Sequence, residues 1–202
     1  MFKRDTGTAK RQTGTAEAVE GGKRGTQNLA PQKDLTVNFT EFNVTLLTDG
    51  FQTRAVMRCI GLLAIYLNDD SKPTFPLYNA ELVGLDPTNP ATRVVQEEAF
   101  FRKPMCHVIA FENIPGEGHV VLLPREEALV VYTSHYAIQG KFHLGPDDRV
   151  GEFMEVQLSQ FVTISDVHIY PLFQPRTPMI AAAPLVMMHR SLVRMYHKVG
   201  RS

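Results

Sequence analysis

The chain has 202 residues, 44% of them hydrophobic and 21% charged, with 21 basic residues balancing 21 acidic ones. That is enough apolar material to bury a core in one domain or two small ones, and it excludes a chain disordered throughout. Zero formal net charge gives no overall bias towards nucleic acid or membrane, although six basic against three acidic residues leave positions 1–28 at net +3.

Residues 1–36 are poor in apolar side chains and rich in Gly, Thr, Lys and Arg. They read as a disordered basic tail, because they cannot bury enough surface to offset the entropy of ordering. "KRDTGTA" recurs at once as "KRQTGTA", with a worn third copy, "KRGT". Lys3, Arg4, Lys10, Arg11, Lys23 and Arg24 are therefore the candidate contacts to an anionic partner such as nucleic-acid phosphate. The polar run after Met1 lacks the apolar core of a signal peptide, and no stretch is long and apolar enough to span a membrane. Cys59 and Cys106 stand apart without metal or redox spacing, which points to a reducing compartment and a cytoplasmic location.

From Phe39 onward the pattern becomes short β-rich runs broken by turns, and it is written twice. "NVTLLTDGFQTRAVM" (43–57) lies over "ALVVYTSHYAIQGKF" (128–142) at an offset of 85, pairing Val44 with Leu129, Thr48 with Thr133, Phe51 with Tyr136 and Ala55 with Gly140. Each copy reads as strand, tight turn, strand. The turns are Asp49-Gly50 and Ser134-His135, and the Gly suits a turn that needs positive φ. Next, residues 62–83 lie over 149–170 at an offset of 87, the two extra residues falling in "GPDD" (145–148). Leu63, Tyr66 and Leu67 match Val150, Phe153 and Met154 at helical spacing, after which Phe75, Leu77, Ala80 and Leu82 match Val162, Ile164, Val167 and Ile169 at strand spacing. "FFRKPMCHVIAFE" (100–112) then lies over "LVMMHRSLVRMYH" (185–197) at 85 and reads as a closing hairpin in each copy. An amphipathic helix is the alternative for 185–199, since Met188, Leu192, Met195 and Val199 also recur at helical spacing.

Between the copies, Val120 to Leu123 reads as one extra strand-like run, and "GLDPTNPATR" (84–93) and "PLFQPRTP" (171–178) read as exposed Pro-containing loops. The expected fold is mainly β with a minor α component. It comprises two tandem homologous small β-barrel-like or bent-sheet units, residues 37–123 and 124–202, each with one short helix and its own core, related by a pseudo-two-fold.

With "VVYTSHYAIQG", "RVGEFME", "FVTISD" and "PLVMMHRSLVRMY" in the second copy, and "LLAIYLN" and "FPLYNA" in the first, the layout resembles a tandem duplication of an uncharacterised bacterial domain family. That resemblance implies a fold and no function. Leu47-Thr48-Asp49-Gly50 and Asn68 give a looser architectural similarity to Sm-like small β-barrels, from which Ala55, Ala64 and Glu155 depart.

Chemistry-bearing patterns are sparse. The seven histidines form no HxH or HExxH, so no metal and no cofactor is expected; His135 and His143 are the pair that folding could bring together. Asp69-Asp70 and Asp147-Asp148 adjoin turns, where Asp bonds locally. Cys106 and His107, as strand neighbours, point to opposite faces, so Cys106 reads as a core residue and no catalytic set is named. The Met-rich segment "PMIAAAPLVMM" makes Met179, Ile180, Met187 and Met188 the candidate protein interface. The resulting expectation is a non-enzymatic scaffold or assembly protein that binds protein partners or forms a homo-oligomer. The alternative is nucleic-acid binding through the tail, with Phe51, Tyr136 or Phe142 stacking on bases.

Overall fold

The computed structural model describes residues 38–88, 93–155 and 159–200. The basic pairs from Lys3 to Arg24 lie outside the described residues. The chain runs β1 (Thr40–Leu47), β2 (Phe51–Cys59), α1 (Leu63–Asn68), β3 (Thr74–Gly84), β4 (Arg93–Arg102), a 3-10 turn (Lys103–Met105) and β5 (Val108–Phe111). It then repeats that order: β6 (Arg125–Tyr132), β7 (Tyr136–Leu144), α2 (Val150–Glu155), β8 (Phe161–Pro171), β9 (Ala182–His189), a 3-10 turn (Arg190–Leu192) and β10 (Met195–Lys198).

The fold is mainly β, as expected. All ten strands form one antiparallel sheet in the order β10-β6-β7-β8-β9-β5-β1-β2-β3-β4. Each half contributes a five-strand block of the same internal order, 10-6-7-8-9 and 5-1-2-3-4, and the blocks join where β5 pairs with β9. This seam corrects two expectations. A two-fold would pair like strands, whereas β5 and β9 are the last strand of one half and the fourth of the other, so the halves join head to tail. Nor does each half seal its own interior. The core of the second half takes in Leu47, Leu85, Val108 and Ala110 from the first, and that of the first takes in Phe161, Leu185 and Met187 from the second.

Local chemistry explains why both halves bend alike. Each opening hairpin is closed by a threonine. Thr48 N–H donates to Phe51 O at 3.0 Å while Thr48 Oγ1 accepts from Phe51 N at 3.2 Å, and Thr133 and Tyr136 do the same at 2.8 and 3.0 Å. Positive φ in glycine falls at Gly61 and Gly118, not at Gly50, so the turn needs no glycine and Ser134-His135 serves as well. Further along, the β2–β3 ladder shifts register between Arg54 and Val56, and the β7–β8 ladder between Gln139 and Lys141. Facing these bulges, Asn79 and Asp166 both sit at φ 52°, the left-handed region that Asn and Asp tolerate best. A Cβ on Gly140, inside the second bulge, would lie 2.6 Å from Ile164 Cγ2.

The closing segments are neither hairpins nor a helix. In each half a 3-10 turn throws the chain across, so that β5 pairs with β1 and β10 pairs with β6, not with the strand just before it. The ladders also fix the offset between the halves here. Phe75 faces Phe101 and Val162 faces Met188, so 87, not 85, relates the fourth and fifth strands of the two halves. Lys103 then corresponds to Arg190, and both are buried. Lys103 Nζ donates to the carbonyls of Tyr66 at 3.2 Å and Asp69 at 2.7 Å, ending α1, while the Arg190 guanidinium lies 5.5 Å from the centre of the Phe153 ring on α2.

Val120–Leu123 is not a strand. It belongs to a strap held to α1 by the Ala64 N–H, which donates to His119 O at 3.0 Å. The second Pro-containing loop is not free either. Arg176 N–H donates to Leu85 O at 2.8 Å and Ile180 N–H to Gln52 Oε1 at 2.6 Å, laying the segment on the first half.

Candidate functional site

The seam and the sheet's two outer edges are one structural problem. Every residue of β5 is buried, and Leu185 to His189 of β9 are buried too, because each strand has neighbours on both sides and packing on both faces. In the seam Val108 faces Met188, Ile109 faces Met187 and Ala110 faces Val186. Met187 and Met188 point to opposite faces and fill the two cores, so they offer no surface to another protein. Met179 and Ile180 are half-buried against the core of the second half. The charge-free Met-rich run reflects a strand covered on both faces.

Among the described residues, no strand covers the equivalent strands at the sheet's ends. Subtracting 87 carries β9 onto β4 and adding 87 carries β5 onto β10. Phe100 is 65% exposed where its counterpart Met187 is 1% exposed, and Met195 is 55% exposed where its counterpart Val108 is 0%. Val95 on β4 is exposed as well. A ten-residue edge strand carrying such side chains leaves its hydrogen-bonding groups unpaired beside apolar surface, which is the feature that recruits another strand.

A second cluster lies where the two hairpin turns approach each other. His107 Nε2 is 2.5 Å from Asp49 Oδ1, and His135 Nδ1 is 3.1 Å from the same oxygen. The ring of His107 is edge-on to those of His135 and Tyr136, at centroid distances of 5.7 and 5.3 Å. Burial pulls the His107 pKa below its usual range, a pull that the bond to Asp49 only partly offsets. His107 Nδ1 is buried without a hydrogen-bond partner. In the sequence Asp49 and His135 are turn residues and His107 is a neighbour of Cys106. The three are far apart in the chain, and only the head-to-tail joining brings one turn from each half together. His143 is not part of this cluster. It sits near the far end of β7, with Nδ1 3.3 Å from Leu123 O and Nε2 2.8 Å from Ser165 Oγ.

Other sequence candidates are held by local structure. Asp69 Oδ1 accepts from Ser71 N–H at 3.0 Å and from its hydroxyl at 2.5 Å, and those bonds hold its carboxyl below the usual range. Cys106 is fully buried and its thiol is pushed up by desolvation. Tyr136 and Phe142 are core residues, so they cannot stack on bases, and Phe51 is half-buried. A cavity of about 220 Å³ between α1, the strap and β8, lined by Asn68, Leu123, His143, Phe161 and Met187, is below the roughly 300 Å³ at which small-molecule sites begin. Among the described residues no helix is long and apolar enough to cross a membrane.

Comparison with family models, curated proteins and solved structures gave no match for this chain.

Proposed function

We propose that the chain is a non-enzymatic assembly subunit, a duplicated small β unit whose partner is a second copy of itself joined β4 to β10. The observation that carries this reading is the contrast between Phe100 and Met187: at equivalent positions one is open to solvent and the other is covered by a β5 strand. β10 is the strand equivalent to β5, and it is the free edge at the sheet's other end.

The seam supplies the register for that contact. Carried across by 87 residues, Val108 facing Met188 becomes Met195 facing Phe101, and Ile109 facing Met187 becomes Tyr196 facing Phe100. Two positions further, Lys198 faces Glu98, an opposite-charge cross-strand pair. Burying Phe100 and Met195 would contribute about 1.5–3 kcal/mol each.

Two edge variants test the arrangement by light scattering on a sizing column. Phe100→Asp disables the β4 edge and Met195→Asp the β10 edge. Each variant alone should be monomeric, and an equal mixture should stop at two chains, because only one intact β4 edge and one intact β10 edge remain to meet. A monomeric wild-type chain at high concentration, or variants that assemble as the wild type does, would sink the proposal.

A further inference from the structure

We infer that Asp49, His107 and His135 form a binding site for one divalent transition-metal ion per chain, with zinc the ion their donors suit. Asp49, His107 and His135 each offer one ligand atom, these atoms all lie within 4.8 Å of one another, and the residues come from three separate elements: the β1–β2 turn, the lead-in to β5 and the β6–β7 turn. Two imidazoles and a carboxylate are a donor set that zinc accepts, and three protein ligands with one open position is its usual arrangement where the ion stays accessible. Here the open position faces outward, since the side chains of Asp49 and His135 are 49% and 35% exposed while that of His107 is 1% exposed.

The two spacings to Asp49 need little adjustment. A tetrahedral ion with bonds of roughly 2.0–2.2 Å holds its donor atoms about 3.3–3.6 Å apart. The present separations from Asp49 are 2.5 and 3.1 Å, so its carboxylate has to draw back by about 1 Å or less, as a half-exposed turn side chain can.

The two imidazoles are held in place by their backbones. His107 N–H donates to Leu47 O at 2.8 Å and its carbonyl accepts from His189 N–H at 3.2 Å. His135 N–H donates to Thr133 Oγ1 at 3.3 Å, its carbonyl accepts from Leu172 N–H at 2.8 Å, and its ring packs edge-on against Phe173. These bonds place both backbones, and burial holds the His107 ring before any ion arrives, which lowers the ordering entropy that opposes binding.

The site belongs to the seam inside the chain and has no twin at the open edges. The residues equivalent to Asp49, His107 and His135 at a β4–β10 contact are Ser134, Arg194 and Gly50, none of which is a zinc ligand. One ion per chain follows, whether or not chains associate.

The test uses the full chain stripped with a chelator and titrated with zinc or cobalt alone. The expected result is one cobalt per chain with the visible absorption of a four-coordinate ion, and a melting temperature raised by zinc. His135→Ala and Asp49→Ala, both at turns, should each weaken binding at least tenfold and abolish the zinc-dependent shift, while His168→Ala, at an exposed histidine on β8 outside the cluster, leaves both unchanged. No binding to the wild type, or binding that survives both substitutions and therefore belongs to scattered surface histidines, overturns the site and leaves a hydrogen-bonded His–Asp–His latch.

Discussion

The Tyr136 hydroxyl donates to the Thr48 carbonyl oxygen at 2.7 Å, so a side chain that opens the second half's hairpin is tied to the turn of the first. Tyr136 corresponds to Phe51, which has no hydroxyl, and the ring itself is core. Tyr136→Phe should therefore keep the packing and lose only this bond between the halves. A loss of about 1–2 kcal/mol is expected in urea unfolding, with the m-value unchanged.

Gly140 and Ala55 occupy the same bulge in the two halves and should respond unequally, for different reasons. Gly140→Ala drives a Cβ into Ile164 Cγ2 and, at 3.0 Å, the Ser165 carbonyl oxygen, and should cost about 2–3 kcal/mol. Ala55→Gly creates no collision and should cost about 1 kcal/mol through backbone entropy and lost burial. Chemical denaturation of the two variants side by side checks the asymmetry.

Lys103 holds the end of α1 through two carbonyls that have no other hydrogen-bonding side chain near them among the described bonds. Lys103→Ala takes a donor from both carbonyls, leaving Asp69 O with the Lys72 N–H at 3.2 Å, and opens a cavity, so a loss of about 2–4 kcal/mol is expected. Hydrogen exchange should quicken first in residues 63–69, and more slowly elsewhere in the sheet.

Acid should reach the Lys141–Asp166 pair in a defined way. The ammonium of Lys141, 2.8 Å away, holds the Asp166 carboxyl below its ordinary value. A group whose folded pKa is depressed contributes stability above its unfolded pKa, near 3.9, and loses that contribution as pH falls through the folded value. In Lys141→Ala the carboxyl should titrate nearer 3.9 by NMR, and the fall in stability below pH 4 should become shallower.

The hairpins were legible because their chemistry is local. Apolar alternation, a threonine that closes each turn, and a switch from helical to strand spacing at Leu63–Leu82 and Val150–Ile169 are all visible in short windows. The last strands were not, because β5 and β10 find partners that lie outside any window. The letters alone leave their alignment open between 85 and 87, and the facing of Phe75 with Phe101 and Val162 with Met188 decides for 87. Met187 and Met188 show the same limit from the other side. A strand buried on both faces reads like adaptable surface until its neighbours are known. The Asp49–His107–His135 cluster left no spacing to find, because its members meet only through the seam.

Unlike ends have a counting consequence. Any closed assembly made by joining β4 to β10 must hold an even number of five-strand blocks, and circling it the surfaces alternate, first half then second. A molecule long enough to touch adjoining blocks of such a circle would meet two different faces in strict succession.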